Sequence, residues 1–146
     1  MDTYTKQEVD DELNTKADKL DTYTKQEVDD SLDLKANKQQ EEWITPTLLN
    51  GWAVFSANDI QPGYYKDSLG NVHLRGTVKG GLTGGPNPIL TLPVGYQPSK
   101  NMFIPCINSG TLGILVISRN GTVYVFSGTV SSYFSFGSEI IFKGEQ

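Results

Sequence analysis

A ten-residue stretch occurs twice in the chain, and it constrains the fold more than any other feature. Asp2–Asp11 reads DTYTKQEVDD, Asp21–Asp30 reads the same, and the offset is nineteen residues. The echo continues from Lys16-Ala17-Asp18-Lys19 to Lys35-Ala36-Asn37-Lys38. An internal repeat means that one local structure is built twice. Thr5 with Glu8, and Thr24 with Glu27, have the spacing of a capping box. In that device the N-cap hydroxyl and the third helical carboxylate each accept the other residue's backbone N–H. Tyr4 with Val9, and Tyr23 with Val28, stand at the flanking staple positions. Each copy is therefore predicted to start its own helix.

After the caps, apolar residues fall at Val9, Leu13, Ala17 and Leu20, then at Val28, Leu32 and Ala36. Spacings of three and four make a narrow stripe. Nineteen residues is not a whole number of helical turns, so a continuous rod would rotate the second stripe by about 100°. Two short helices with a break near Asp18–Thr22 fit better. A helix of about 12 residues is marginal alone in water. So few small apolar side chains do not offset about 1–2 kcal/mol per residue of backbone ordering. The stripe needs a partner, and another copy of the chain carries the matching one. Residues 1–42 read as a coiled-coil-like, parallel homo-oligomeric stalk, with Val9, Leu13, Ala17, Val28, Leu32 and Ala36 as its contact residues. The alternative is a flexible tether with nascent helix.

Charge divides the chain at the same place. Residues 1–42 carry thirteen acidic and six basic side chains, net −7, and residues 43–146 carry four and six, net +2. No basic tract favours nucleic acid. No run of eighteen apolar residues favours a membrane span, and no apolar signal region follows Met1. Cys106, flanked by apolar residues, reads as an ordinary buried thiol.

Residues 43–146 read as an all-β head. Trp43 is expected to anchor the junction, and Thr45–Leu49 to form one helical turn stopped by Asn50-Gly51. Trp52–Ser56 is the first expected strand. Tyr64–Asp67 and Val72–Lys79 flank a hairpin turn at Ser68–Asn71. In the second arm His73, Arg75, Thr77 and Lys79 are expected to share one face. Gly80–Pro86 is a loop, and Ile89–Leu92 and Met102–Asn108 are strands. Asn120-Gly121 predicts a two-residue turn, which would pair Ile117 with Tyr124, Leu115 with Phe126 and, on the other face, Val116 with Val125. Both faces of this hairpin are apolar, so one should meet a second sheet and the other a neighbouring subunit. Many short strands with frequent turns indicate a jelly-roll-like β-sandwich.

The YTKQEVD repeats, followed by PGYYKDSLGNVHLRG and LPVGYQPS, resemble the tail-fibre and receptor-binding proteins of bacteriophages, especially those of Gram-positive hosts. The resemblance spans stalk and head. It implies a homotrimeric virion appendage, assembled in the host cytoplasm and acting outside the cell. Its N-terminus would meet other virion proteins, and its head would dock on host cell-wall saccharide. Similar repeats also occur in phage fibres that decorate other parts of the particle, which leaves a structural fibre as the alternative. No nucleic-acid or membrane partner is implied.

Chemistry for turnover is sparse. The head has four carboxylates, one histidine and no nucleophile, metal or phosphate-loop motif. No catalytic residue, metal ligand or cofactor is assigned, and the chain is expected not to be an enzyme. A saccharide site needs only aromatic faces and a few polar groups. Candidates are His73, Arg75, Tyr65, Tyr124 and Tyr133, with Tyr64 and Tyr96 behind them. His73, Arg75 and Lys79 on one face would suit a phosphate-bearing polymer such as teichoic acid.

Overall fold

The computed structural model describes residues 3–16, 24–36 and 40–145. The chain divides into two units, Met1–Gln39 and Gln40–Gln146. The division falls slightly before the expected boundary after Glu42, because Glu41 bonds into the C-terminal unit. Its carboxylate accepts the Lys66 backbone N–H at 3.0 Å and the Tyr96 hydroxyl at 2.7 Å.

The N-terminal unit contains two helices, α1 (Lys6–Lys16) and α2 (Lys25–Ala36). Both capping boxes form. The Thr5 N–H donates to Glu8 Oε2 at 2.7 Å and the Glu8 N–H donates to Thr5 Oγ1 at 3.3 Å. The second copy repeats this at 2.8 and 3.2 Å. These bonds, first from the Thr backbone and then from its hydroxyl, hold Glu8 and Glu27 below the ordinary carboxylate range. The expected staple is not a tight one, since Tyr4 is 72% exposed. Val9, Leu13, Val28 and Leu32 all lie exposed, so the stripe is uncovered in a single chain. The predicted break at Asp18–Thr22 lies outside the described residues, as do Ala17, Leu20 and Tyr23.

The C-terminal unit is all-β and antiparallel. Its strands are β1 (Ala53–Val54), β2 (Gly63–Lys66), β3 (Asn71–Arg75), β4 (Thr77–Lys79), β5 (Leu90–Thr91), β6 (Met102–Asn108), β7 (Thr111–Ile117), β8 (Thr122–Val125), β9 (Phe134–Ser135) and β10 (Ile140–Lys143). One sheet has seven strands in the order β1-β4-β9-β6-β7-β8-β5, and the other has three, β10-β3-β2. Val72, Leu74, Tyr64 and Phe142 of the small sheet close a common core with Val78, Leu115, Ile117, Val123, Val125 and Phe134 of the large one. A jelly roll winds its strands through two Greek keys. Here β6, β7 and β8 pair in sequence order, because short turns join them and neighbouring segments pair first.

Three local expectations are corrected. Thr45–Leu49 is not helical and carries no regular secondary structure. Ile44 exchanges backbone bonds with Tyr64 at 2.8 and 3.0 Å, and the Leu49 N–H donates to Ile89 O at 2.8 Å, so tertiary pairing overrides the Thr-Pro helix signal. The long arm Val72–Lys79 is two strands in different sheets, broken at Gly76. Its φ of 148° belongs to glycine, and a Cβ there would stand 2.8 Å from Pro62 Cα and 2.9 Å from the Phe136 ring.

The third correction concerns register. Gly121 alone takes positive φ, 86°, and the Ser118 N–H donates to Thr122 O at 2.9 Å. The loop therefore holds three residues, Arg119–Gly121, rather than two. Pairing shifts by one, to Ile117–Val123, Val116–Tyr124 and Leu115–Val125. A one-residue slip exchanges the faces of a strand. Val123 and Val125 thus enter the core, while Tyr124 and Phe126 turn outward beside Val116. The Asp67–Asn71 turn is built the same way, with the Asp67 N–H donating to Asn71 O at 2.9 Å and Gly70 at φ 82°.

The outward face of the seven-stranded sheet is apolar. Phe103, Ile107, Leu112, Ile114 and Phe126 are all exposed on it, and Phe103 meets Phe126 edge-on at 5.7 Å. Gly76→Ala should destabilise the C-terminal unit by about 1–3 kcal/mol through overpacking and backbone strain. Chemical denaturation with an unchanged m-value would read this as a lower midpoint. An unchanged midpoint would show that the break does not need glycine.

Candidate functional site

The outward face of the three-stranded sheet gathers three of the five sequence candidates. Tyr65 lies opposite His73 across β2 and β3, and Gly63 lies opposite Arg75. Glycine leaves a space there, and the Trp43 ring fills it: a Cβ on Gly63 would stand 3.2 Å from Trp43 Cε3. Ile44 bridges to Tyr64, which carries Trp43 onto this face. The result is a ladder. His73 stacks on Tyr65 with centroids 4.3 Å apart and planes 9° apart. Trp43 meets Tyr65 edge-on at 4.6 Å, and the Arg75 guanidinium lies 3.9 Å from the Trp43 ring centroid.

His73 is buried, and both ring nitrogens are engaged. Nδ1 lies 2.7 Å from Glu139 Oε1 and Nε2 lies 3.2 Å from Asp67 Oδ2. Two carboxylates thus flank the histidine and offset the positive charge expected here. Lys79 is not part of the group either. Beyond Gly76 it belongs to β4, where its Nζ lies 5.9 Å from the Phe55 ring. Arg75 remains. It is half-buried, its Nε is buried with no hydrogen-bond partner, and among the described residues it makes no ion pair. A guanidinium stacked on indole with free donors is suited to a planar or tetrahedral anion.

Asp67 organises the turn beneath this face. Its Oδ2 accepts from Asn71 Nδ2 at 2.8 Å, and its Oδ1 accepts from the Asn71 and Leu69 backbone N–H groups at 2.8 and 2.9 Å. The Asn71 side chain first, then its backbone, His73 and Leu69, hold the Asp67 carboxyl well below the usual carboxylate range against a smaller effect of desolvation.

The other two candidates lie elsewhere. Tyr124 is on the outward face of the seven-stranded sheet, opposite Val116 and against Gly85. Tyr133 packs on Phe55 at 5.1 Å. Tyr96 donates to Glu41, and burial together with that bond pushes its phenol up to about 12. Burial pushes the Cys106 thiol up to about 11, as suits an inert core position. Sequence reasoning missed Trp43, Asp67 and Glu139 as members of the ladder. For Asp67 a signal existed, since an Asp that opens a Gly-Asn turn often caps it. For Trp43 and Glu139 the approach is long-range.

No known family model matches the chain, and no curated protein matches it. Among solved structures it is similar to the receptor binding protein (gp15) of Listeria phage PSA, at 19% identity and a TM-score of 0.57. The match covers 98% of this chain and 99% of that one. The chain shares the fold of a phage receptor-binding protein. At that identity the likeness carries fold and no residue roles.

Asp67 generates a pH prediction. Its folded pKa is depressed, so its contribution to stability is present above the unfolded value of about 3.9 and is lost as pH falls below it. Asp67→Asn should therefore be clearly less stable than the parent at pH 7, and the gap should narrow as the pH is lowered from 5 towards 2. Urea midpoints across that range test it; a gap independent of pH would mean that ionisation of Asp67 does not support the turn.

Proposed function

We propose that this chain is a virion component that attaches a phage to its host, a trimer whose β-rich head binds cell-wall saccharide without turnover. The observation that carries the reading is the full-length likeness in fold to a Listeria phage receptor-binding protein. The ladder on the small sheet adds a chemically suitable surface, with Arg75 over Trp43 as its cationic group. A phosphate-bearing polymer such as teichoic acid would supply the missing anion, and its sugars would meet the aromatic edges. Attachment through several heads tolerates weak single sites, because effective concentration multiplies them.

Oligomerisation is part of the same proposal. Each unit exposes apolar side chains among the described residues: Val9, Leu13, Val28 and Leu32 in the first, and Phe103, Ile107 and Phe126 in the second. Patches of this kind mark interaction sites. Further copies of the chain would cover both, the first as a coiled-coil-like stalk.

Light scattering on the full chain should return the mass of three chains. A mass of one chain at micromolar concentration would remove the trimer. In sedimentation assays with Gram-positive cell walls, Arg75→Ala should lose roughly tenfold or more in affinity, while Arg75→Lys retains part of it. Equal binding by all three proteins would exclude this face as the site. No wall binding by the intact protein would favour the decorating-fibre reading.

A further inference from the structure

A second surface of the C-terminal unit is built like a small-ligand cleft. Residues 45–48 form an arch without regular secondary structure, fixed at both ends. At one end Ile44 pairs with Tyr64. At the other, the Leu49 N–H donates to Ile89 O and Asn50 Nδ2 donates to Pro88 O, both at 2.8 Å. Across from the arch runs β5, the last strand of its sheet, whose second edge has no strand partner among the described residues. Between them lies a cleft of about 380 Å³, within the range of roughly 300–1,000 Å³ of small-ligand sites.

Its lining has a definite chemistry. The buried side chains of Tyr64 and Leu92 form the base, and Thr45, Thr47, Thr91 and Pro93 stand exposed around the rim. None of the three threonine hydroxyls bonds to a described residue. No Asp, Glu, Lys, Arg or His contributes to the lining, and burial first, then Glu41, raises the Tyr64 phenol. Hydroxyls around an apolar base match a pyranose, which offers an apolar C–H face and a ring of hydroxyls. A charged group would find no counter-ion there. Because the arch is tied at both ends, the cleft is formed before a ligand arrives, which lowers the cost of binding.

We infer that the cleft between residues 45–48 and β5 binds a single neutral sugar residue, separate from the Arg75–Trp43 face. The inference rests on the receptor-binding reading in that the sugar would be part of a wall polymer. A polymer of alternating sugar and phosphate would then present a different unit to each surface.

The test uses the full chain, labelled for NMR, with methyl glycosides of glucose, galactose, N-acetylglucosamine and rhamnose as probes and glycerol 3-phosphate as the charged control. At least one glycoside should shift the Thr45, Thr47 and Thr91 resonances at millimolar concentration, and the control should not. Thr47→Val and Thr91→Val keep shape and remove a hydroxyl. Each should weaken that glycoside about tenfold with the rest of the spectrum unchanged. Thr47→Ala serves if a valine variant misfolds. The inference is overturned if no glycoside moves these resonances, if the variants bind as the parent does, or if glycerol 3-phosphate binds the cleft equally well. Wall binding without glycoside binding would overturn the cleft and leave the receptor-binding reading standing. Glycoside binding without wall binding would do the reverse.

Discussion

Gly76 is where the chain stops pairing with β2 and β10 and begins pairing with β1 and β9. The Gly76 N–H donates to Gly137 O at 3.3 Å and its carbonyl accepts the Phe136 N–H at 3.1 Å, so the crossing point is itself hydrogen-bonded. On either side of it the alternation of side chains is intact. Val72 and Leu74 face the core from one sheet, and Val78 faces it from the other. A side chain at the crossing would press on Pro62 and Phe136. The two-layer core, the outward ladder on the small sheet and the apolar outer face of the large one all follow from that single change of direction.

The ladder shows how a buried histidine can be structural and still sit beside an arginine with unused donors. Facing a carboxylate at each nitrogen, His73 ties the Asp67 turn to the residue that leads into β10. Tyr65 is held flat against it, Trp43 is held against Tyr65, and Arg75 is held over Trp43. The rigid members of the series are thus the histidine and the tyrosine, and the member with unused hydrogen-bonding capacity is the arginine. His73 and Arg75 point the same way, as residues two apart on a strand must, yet they differ in surroundings because Trp43 and the carboxylates divide the face between them.

What could be read from the sequence was local. The capping boxes, the Ser68–Asn71 turn and the span of Met102–Asn108 depend on residues close in the chain, and each is present where the pattern places it. The hairpin at Asn120-Gly121 was legible as a turn but not in register. Asn-Gly serves both two- and three-residue loops, and the choice is made by distant contacts: the Leu92 N–H donates to Gly121 O at 2.8 Å, and the Arg119 N–H donates to Asn101 Oδ1 at 2.9 Å. Thr45–Leu49 failed as a helix for the same reason, since its partners Tyr64 and Ile89 are far off in sequence. The candidate site mixed both kinds. Tyr65, His73 and Arg75 share a face by simple alternation, whereas Trp43 and Glu139 reach it only through folding.

The repeat has a consequence for assembly. Each helix is started by a cap whose donors and acceptors all lie within four consecutive residues, Thr5–Glu8 in one copy and Thr24–Glu27 in the other. The two copies present the same cap and the same exposed valine and leucine positions. For any bundle made from several such chains, the aligned arrangement and one offset by a whole module therefore satisfy the same local contacts along the overlap. Past the shared ten residues the copies differ, with Glu12, Asn14 and Thr15 of the first standing where the second has Ser31, Asp33 and Leu34. The phase of such a bundle is therefore left to those few positions and to the unrepeated β-rich unit.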